Sequence, residues 1–247
     1  QWLNENTIIY NDIEEDIQCS IKYDIFTNNK LMKYKRPFWD ISPNKKFGAS
    51  LNFSRIKKMR PGYGYLGKNI DDFRETLTIF SLENDSLIYS ISLKEILLKV
   101  KYDESITDKI YLNHIVWSPN SKKLITIFNF ENKKKNKRMV YPVLINLETK
   151  KIDFLHKDGS FSHHTFISED RILAYLKLKD HYCFGLWSQE NGWREIKNSM
   201  PKFDGHPTYI NSSDRVVVDS YSDRFGIMSL YMGSINPDKK LEKIASV

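Results

Sequence analysis

One short phrase recurs along the chain and constrains the fold more than any other feature. Each copy has an apolar residue, a polar turn rich in Ser, Asn, Asp or Pro, and then a run of strand-forming residues. These turn residues either bond their own backbone or, in the case of proline, preset φ. A repeat of this kind has to be interpreted before any local motif, because it determines the whole architecture. The copies are Leu3–Tyr10, Ile41–Ala49, Trp117–Ile127, Ile167–Tyr175 and Ile210–Val218.

Each copy is followed by further strand-like segments that are separated by polar turns. In the fourth unit, Arg171–Leu178 and Tyr182–Trp187 are predicted strands, and Gln189–Gly192 turns the chain into Trp193–Ile196. With the run that enters the unit, these segments form a four-stranded antiparallel blade, and blades of about 40–50 residues are typical of β-propellers. We therefore predict an all-β fold, a β-propeller of about five blades. The predicted blades cover 1–38, 39–112, 113–160, 161–204 and 205–247.

The second unit is longer than the others, and we attribute the difference to two insertions. One runs from Lys57 to Arg74 and contains the Gly/Pro-rich loop Arg60–Tyr65. The other, Ser92–Val100, has apolar residues at helical spacing behind a Ser/Glu capping box, which predicts a short helix. We expect a single domain over 1–247 that is incomplete. Five blades are an unusual total for a closed ring, and a sixth or seventh blade would complete it. We expect an amino-terminal part to be missing from this sequence, which leaves cytoplasmic and periplasmic locations both open.

The net charge of +7 indicates either an acidic partner or a Lys-rich composition without functional meaning. Arg, the better reader of phosphates and bases, is the scarcer basic residue, so we expect no nucleic-acid partner. The basic run Lys133–Arg138 fits a solvated hairpin tip. We predict no membrane span, since no window is apolar enough. Cys19 and Cys183 are predicted to be buried free thiols, and the oligomeric state is left open.

The histidines are the most informative polar residues. His114, His163, His164 and His206 lie just before the turn phrase of three successive blades. Equivalent strands of a propeller face one channel, so these imidazoles would converge and bind a divalent metal. Alternatively, each histidine caps its own strand through a backbone bond. The remaining two histidines, His156 and His181, are predicted to be solvated residues of hairpin turns.

Five further residues are candidates for supporting roles. Arg55 is predicted to lie on a strand, on an apolar face, where it either pairs with a buried carboxylate or reaches a substrate carboxylate in a pocket. Asp204 and Asp219 are candidate outer-shell acceptors for the histidines or ordinary turn residues. Tyr63 and Tyr65 would either stack on a sugar ring or be plain loop aromatics.

Taken together, these motifs resemble the oligogalacturonate lyase group of TolB-like β-propellers and their uncharacterised relatives associated with polysaccharide gene clusters. The resemblance covers most of the chain, and its most specific element is Asp204-Gly-His-Pro207. The other matching segments are Asn113-His114, Trp117-Ser-Pro119, Ser162-His-His164, Val218-Asp-Ser-Tyr221, Ser229-Leu-Tyr231, Tyr10-Asn-Asp12, Phe53-Ser-Arg55 and Arg60-Pro-Gly-Tyr-Gly-Tyr65.

The resemblance implies a seven-bladed propeller that holds manganese in its channel and cleaves a digalacturonate by β-elimination. It implies His114, His164 and His206 as Mn²⁺ ligands, with His163 as an alternate ligand or the proton acceptor. Arg55 would bind the substrate carboxylate or take the proton. The chain departs from the lyases in lacking their clustered Gln and histidines.

We therefore expect a carbohydrate-active propeller, an enzyme of the lyase type acting on an acidic oligosaccharide or a polysaccharide precursor. The alternative is a non-catalytic propeller that binds a glycan or a protein, in which the histidines are structural. Fold alone does not choose between the two, because propellers host both functions.

Overall fold

A computed structural model describes residues 1–65, 75–100, 106–210 and 213–246. These residues form five antiparallel sheets and two short helices. The first sheet contains β1 (Thr7–Glu14), β2 (Ile17–Asp24) and β3 (Asn29–Tyr34). The second contains β4 (Asp40–Ile41), β5 (Phe47–Leu51), β6 (Glu75–Ser81) and β7 (Leu87–Ser92), with α1 (Phe53–Met59) between β5 and β6 and α2 (Leu93–Val100) after β7.

The other three sheets have four strands each. The third contains β8 (Ile106–Trp117), β9 (Lys123–Asn132), β10 (Lys137–Asn146) and β11 (Ile152–Phe154). The fourth contains β12 (Phe161–Ser168), β13 (Arg171–Leu178), β14 (His181–Ser188) and β15 (Gly192–Glu195). The fifth contains β16 (Pro207–Ile210), β17 (Arg215–Asp219), β18 (Ser229–Ser234) and β19 (Glu242–Ser246).

Every sheet has its strands in chain order, which is the arrangement of a propeller blade. The predicted all-β architecture of antiparallel blades is confirmed. The first sheet has three strands, and an isolated bridge between Trp2 and Ile8 lies beside β1. The turn phrases behave as the sequence predicts: the Ser42 amide binds the Phe47 carbonyl, and the Ser118 amide binds the Lys123 carbonyl.

The chain divides into two compact units, Gln1–Phe154 with the first three sheets and Leu155–Val247 with the last two. Alternating strand residues supply the core of each unit. In the first unit Leu77, Leu124 and Phe128 are fully buried, and in the second unit Leu173 and Val216 are. Each such side chain contributes about 1.5–3 kcal/mol of burial free energy.

The blade boundaries and insertions differ in part from expectation. The third sheet begins at Ile106, ahead of the predicted boundary at residue 113, and Ile110, Tyr111 and Leu112 of β8 are all buried. The predicted helix is confirmed as α2, and Ser92 and Glu95 exchange the hydrogen bonds of a capping box. Of the predicted 57–74 insertion, residues 66–74 lie outside the described residues.

The prediction that Arg55 lies on a strand is wrong, because the chain enters α1 at Phe53. The side-chain oxygen of Asn52 accepts a hydrogen bond from the Arg55 amide at 2.8 Å. This N-cap satisfies a backbone donor of the first turn and favours a helix over a continued strand. Among the described residues, no helix is long and apolar enough to cross a membrane.

Candidate functional site

Two of the predicted histidines lie against each other in the second unit. His163 lies on β12 and His206 immediately precedes β16, and their ring centroids are 3.8 Å apart with an interplanar angle of 48°. A register shift between Phe161 and His164 interrupts the pairing of β12 with β13. Such a bulge re-aims side chains on the affected strand. The local irregularity of β12 therefore helps to set the direction of His163.

Each histidine of this pair is held by its own carboxylate. His163 Nδ1 lies 3.1 Å from Asp204 Oδ1, and His206 Nδ1 lies 2.9 Å from Asp219 Oδ2. The hydroxyl of Ser162 donates to Asp204 Oδ2 at 2.6 Å, and the His206 amide donates to Asp219 Oδ1 at 2.6 Å. A serine hydroxyl therefore fixes one carboxylate and a backbone amide fixes the other, and the carboxylates fix the two imidazoles.

Gly205 allows the two pairs to come together. A Cβ atom built on Gly205 would lie 1.9 Å from the carbonyl oxygen of Asp219. The chain can pass this close to the end of β17 because glycine has no side chain. That close approach places Asp204 on one side and His206 on the other side of the same backbone position.

The paired site is graded from half-buried to exposed. The side chain of His163 is 15% exposed and that of His206 is 59% exposed. Exposed Tyr221 stands at the margin, with its hydroxyl 3.4 Å from His163 Nε2. When a carboxylate holds Nδ1, the Nε2 atom is the one that meets a metal, a proton or a ligand. The arrangement suits proton transfer or metal binding at a solvent-accessible surface.

His164 is directed away from this pair. Its ring packs against Phe161 with centroids 5.2 Å apart, and its Nδ1 lies 3.3 Å from the Ser162 carbonyl oxygen. Its side chain is buried. The structure thus brings His163, the alternate candidate, and not His164, against His206.

His114 belongs to the first unit and lies at a bulge in β8. Its backbone has φ of 54°, and the pairing with β9 shifts between Asn113 and Ile115. The His114 ring lies 5.3 Å from Trp39 and 6.1 Å from Tyr63, measured between centroids. This histidine is therefore part of an aromatic cluster, which consists of Trp39, Phe53, Tyr63, Tyr65 and His114.

The aromatic cluster of the first unit presents two tyrosines to solvent. Tyr63 is 37% and Tyr65 is 38% exposed. Tyr65 stacks on Phe53 with centroids 4.8 Å apart, and the Arg60 guanidinium lies 4.4 Å from the centre of the Tyr63 ring. Gly64, with φ of 74°, takes the left-handed conformation between the tyrosines. A Cβ atom there would lie 2.3 Å from the Phe53 carbonyl oxygen.

Arg55 contacts the protein backbone. Its Nε atom donates to the Ile110 carbonyl oxygen at 2.6 Å, which joins α1 to β8. This bond positions the helix that carries Phe53, a member of the aromatic cluster. The proposed substrate role of Arg55 stays a prediction.

The prediction that His156 is solvated is wrong. Its side chain is buried and packs edge-on against Trp193, whose indole Nε1 donates to the Leu155 carbonyl oxygen at 2.8 Å. Burial lowers the pKa of His156, because desolvation disfavours the charged imidazolium. The Trp193 ring therefore covers His156, although the residues around His156 read as a polar turn in the sequence.

Sequence reasoning gave no role to Ser162 or Tyr221, although both occur in segments that it singled out. Ser162 directly precedes the histidine dipeptide, and Tyr221 follows Asp219 by two positions. A polar residue beside each predicted histidine or carboxylate is the signal that would have found them. Both predicted free thiols, Cys19 and Cys183, are confirmed as buried.

No protein-family model and no curated protein matches the chain. It is similar to the crystal structure of an uncharacterised protein from Listeria monocytogenes EGD-e, with a TM-score of 0.57 and 11% identity over 100% of this chain. A structure described as a TolB from Agrobacterium tumefaciens matches with a TM-score of 0.51 and 11% identity over 100% of this chain and 83% of its own. A prolyl endopeptidase structure matches with a TM-score of 0.53 and 8% identity over 98% of this chain.

The chain spans 63% of the Listeria protein and 35% of the prolyl endopeptidase. At such low identities the likeness shows the fold alone. The structural neighbours include TolB-like β-propeller proteins, which confirms the propeller prediction at the level of the fold, while the closer resemblance to the lyase group stays a prediction.

Proposed function

We propose that this chain is a carbohydrate-active β-propeller that binds an acidic oligosaccharide and cleaves it by metal-assisted β-elimination. The observation that supports this most directly is the pair of histidines, His163 and His206, each bound to its own carboxylate at Nδ1. The net charge of +7 favours association with a polyanionic glycan.

The donor set of the paired site fits a divalent cation such as Mn²⁺. Histidines that bind metals commonly donate their second ring nitrogen to a carboxylate, as His163 does to Asp204 and His206 does to Asp219 when Nδ1 carries the proton. His206 would hold the ion, solvent or substrate would complete its coordination, and His163 beside it would serve as the proton acceptor. A bound cation would stabilise the negative charge that develops on a uronic-acid carboxylate.

The reaction makes specific demands on the protein. Elimination removes the proton next to the substrate carboxylate, breaks the neighbouring carbon–oxygen bond and forms a carbon–carbon double bond from the released electron pair. The departing oxygen takes up a proton. A neutral imidazole can accept the first proton, and His163 is oriented for this by Asp204. Tyr221, at 3.4 Å from His163 Nε2, is a hydroxyl able to pass a proton to the departing oxygen.

The first test measures bound metal in tag-free protein by plasma mass spectrometry after incubation with Mn²⁺. We expect about one Mn²⁺ per chain in the wild type and a loss in His206→Ala. Asp238→Asn, which alters an exposed aspartate between β18 and β19 outside the pair, should retain Mn²⁺. Wild-type protein without stoichiometric Mn²⁺ would contradict the metal-assisted mechanism.

The second test screens uronic-acid oligosaccharides for the ultraviolet absorbance of the new double bond. His163→Ala should lower kcat by at least about 100-fold, the usual range for a general base. If the screen finds binding without cleavage, the second candidate function is supported. That function is glycan binding without catalysis, and the exposed aromatic cluster around Tyr63 and Tyr65 favours it.

A further inference from the structure

A second group of metal-binding side chains lies on the fourth sheet, apart from the histidine pair. His181 and Cys183 are on β14 and Glu195 is on β15. One imidazole nitrogen, the thiol sulfur and one carboxylate oxygen all lie within 4.8 Å of one another. His181 Nε2 and Glu195 Oε1 are 3.0 Å apart.

The strand register explains why these three side chains meet. Residues two apart on a strand share a face, so His181, Cys183 and Gly185 face the same way. Glu195 pairs directly with Gly185 in the antiparallel ladder and therefore lies on that face too.

The group borders a cavity of about 530 Å³. The far wall of the cavity comes from the segment after β15, including Lys197, Met200 and Lys202. Cys183 is buried, whereas the side chain of His181 is 55% exposed. The three groups are thus reached from solvent without crossing the core.

We propose that His181, Cys183 and Glu195 bind a divalent metal of the zinc class, with the remaining coordination position open to the cavity. Zn²⁺ is bound by Cys, His and carboxylate ligands, and sites with three protein ligands keep the fourth position for water or another ligand. Tetrahedral coordination places ligand atoms about 3.5 Å apart, given metal–ligand distances near 2.0–2.3 Å. The exposed His181 and the half-exposed Glu195 can close the remaining distance by small rotations.

The ligand chemistry distinguishes this site from the histidine pair. A thiolate favours softer metals such as Zn²⁺ over Mn²⁺, which prefers oxygen ligands. The two lysines on the cavity wall favour an anionic group at the open position. The proposal does not rest on the lyase function, because none of these three residues belongs to the histidine pair or its carboxylates.

The test is a titration of the metal-free chain with Co²⁺, whose bond to a thiolate produces a charge-transfer band in the near ultraviolet. The wild type should develop this band at one equivalent per chain, and Zn²⁺ should abolish it by displacement. Cys183→Ser should lack the band, while Cys19→Ser, the matched change at the other buried cysteine, should keep it. His206→Ala should also keep it, which separates this site from the Mn²⁺ proposal.

The two remaining ligands are tested by affinity. His181→Ala and Glu195→Gln should each weaken Zn²⁺ binding by more than about 100-fold, since losing an outer-shell partner alone costs 10–100-fold. Circular dichroism serves to check that each variant is folded. Both His181 and Glu195 are near the surface. A wild-type titration without a thiolate band, or a band that survives in folded Cys183→Ser, would overturn the proposal. Zn²⁺ affinity unchanged in both His181→Ala and Glu195→Gln would also overturn it.

Discussion

The imidazole rings of His163 and His206 lie 3.8 Å apart between centroids, although His163 lies on β12 and His206 precedes β16 of another sheet in the second unit. The contact brings a potential metal ligand and a potential proton acceptor to one place in the fold. A neutral ring is what both metal binding and proton abstraction require. The carboxylates of Asp204 and Asp219 hold the rings of His163 and His206 in place.

The Asp219 carboxylate should set the metal affinity of the histidine pair. Replacing Asp219 with Asn removes the charge that orients and polarises His206, and we expect Mn²⁺ binding to weaken by about 10–100-fold. Isothermal titration with Mn²⁺ measures the change. Asp238→Asn, at an exposed aspartate between β18 and β19, is the matched control and should leave the affinity unchanged. Equal Mn²⁺ affinities of the wild type and Asp219→Asn would show that Asp219 has no part in metal binding.

The turn phrases were sufficient to predict the antiparallel blades, because each phrase carries its own turn chemistry and is followed by alternating strand residues. Arg171–Leu178 was predicted as a strand and is observed with the same bounds in β13. The break in this logic is α1, where the alternation of Leu51 and Phe53 with polar residues indicates a strand. The Asn52 cap favours a helix instead, through a bond to Arg55 that no periodicity reveals.

The candidate site was harder to predict than the fold. The sequence supplied His163, His206 and both aspartates, but a bulge in β12 determines which of two adjacent histidines meets His206. Bulges depend on cross-strand register, which a single sequence does not contain. The trio on β14 and β15 was missed for the same reason, because Glu195 reaches His181 only through the pairing of the two strands.

Burial of Asp40 should make the stability of the protein depend on pH. Desolvation raises the pKa of Asp40 to about 6, against hydrogen bonds from the Ile41 amide and the Gln1 side chain that lower it. The pKa of Asp40 is therefore higher in the folded state than in the unfolded state. The resulting stabilisation is fully present below the unfolded pKa of 3.8 and is lost as the pH rises through about 6.

We therefore expect protonation of Asp40 to increase the free energy of unfolding as the pH falls from 7 to 4, by about 3 kcal/mol at most. Urea denaturation of wild type and Asp40→Asn across this range isolates the effect as a difference between the two proteins. The stability of Asp40→Asn relative to wild type should be highest at pH 7, where the buried Asp40 carboxylate is charged. It should decline steadily as the pH falls to 4. A difference independent of pH would show that Asp40 does not titrate there.

Exposed Tyr63 and Tyr65 should contribute to glycan affinity if the first unit binds sugars. We expect Tyr63→Ala to weaken binding of an acidic oligosaccharide by about fivefold, since aromatic contacts are worth about 0.5–1.5 kcal/mol beyond their burial. Tyr65→Phe keeps the stacking on Phe53 and removes the hydroxyl that accepts from Asn11 at 3.2 Å. It should bind nearly as well as wild type.

Phe26→Ala serves as the control for these aromatic substitutions. Phe26 is 83% exposed in the turn between β2 and β3, and its removal should leave glycan affinity unchanged. A Tyr63→Ala protein that binds as tightly as wild type would make the tyrosines plain loop aromatics.

Arg55 offers a choice between two roles, and stability separates them. Its Nε bond to the Ile110 carbonyl oxygen is 2.6 Å long and half-buried, and hydrogen bonds of charged groups contribute about 1.5–3 kcal/mol. Arg55→Ala should therefore lower the free energy of unfolding by about that amount. Arg55→Lys should recover little of it, because an ammonium group does not reproduce the geometry of Nε. If Arg55→Ala instead unfolds like wild type and loses oligosaccharide binding, the guanidinium serves the ligand and the bond to β8 is incidental.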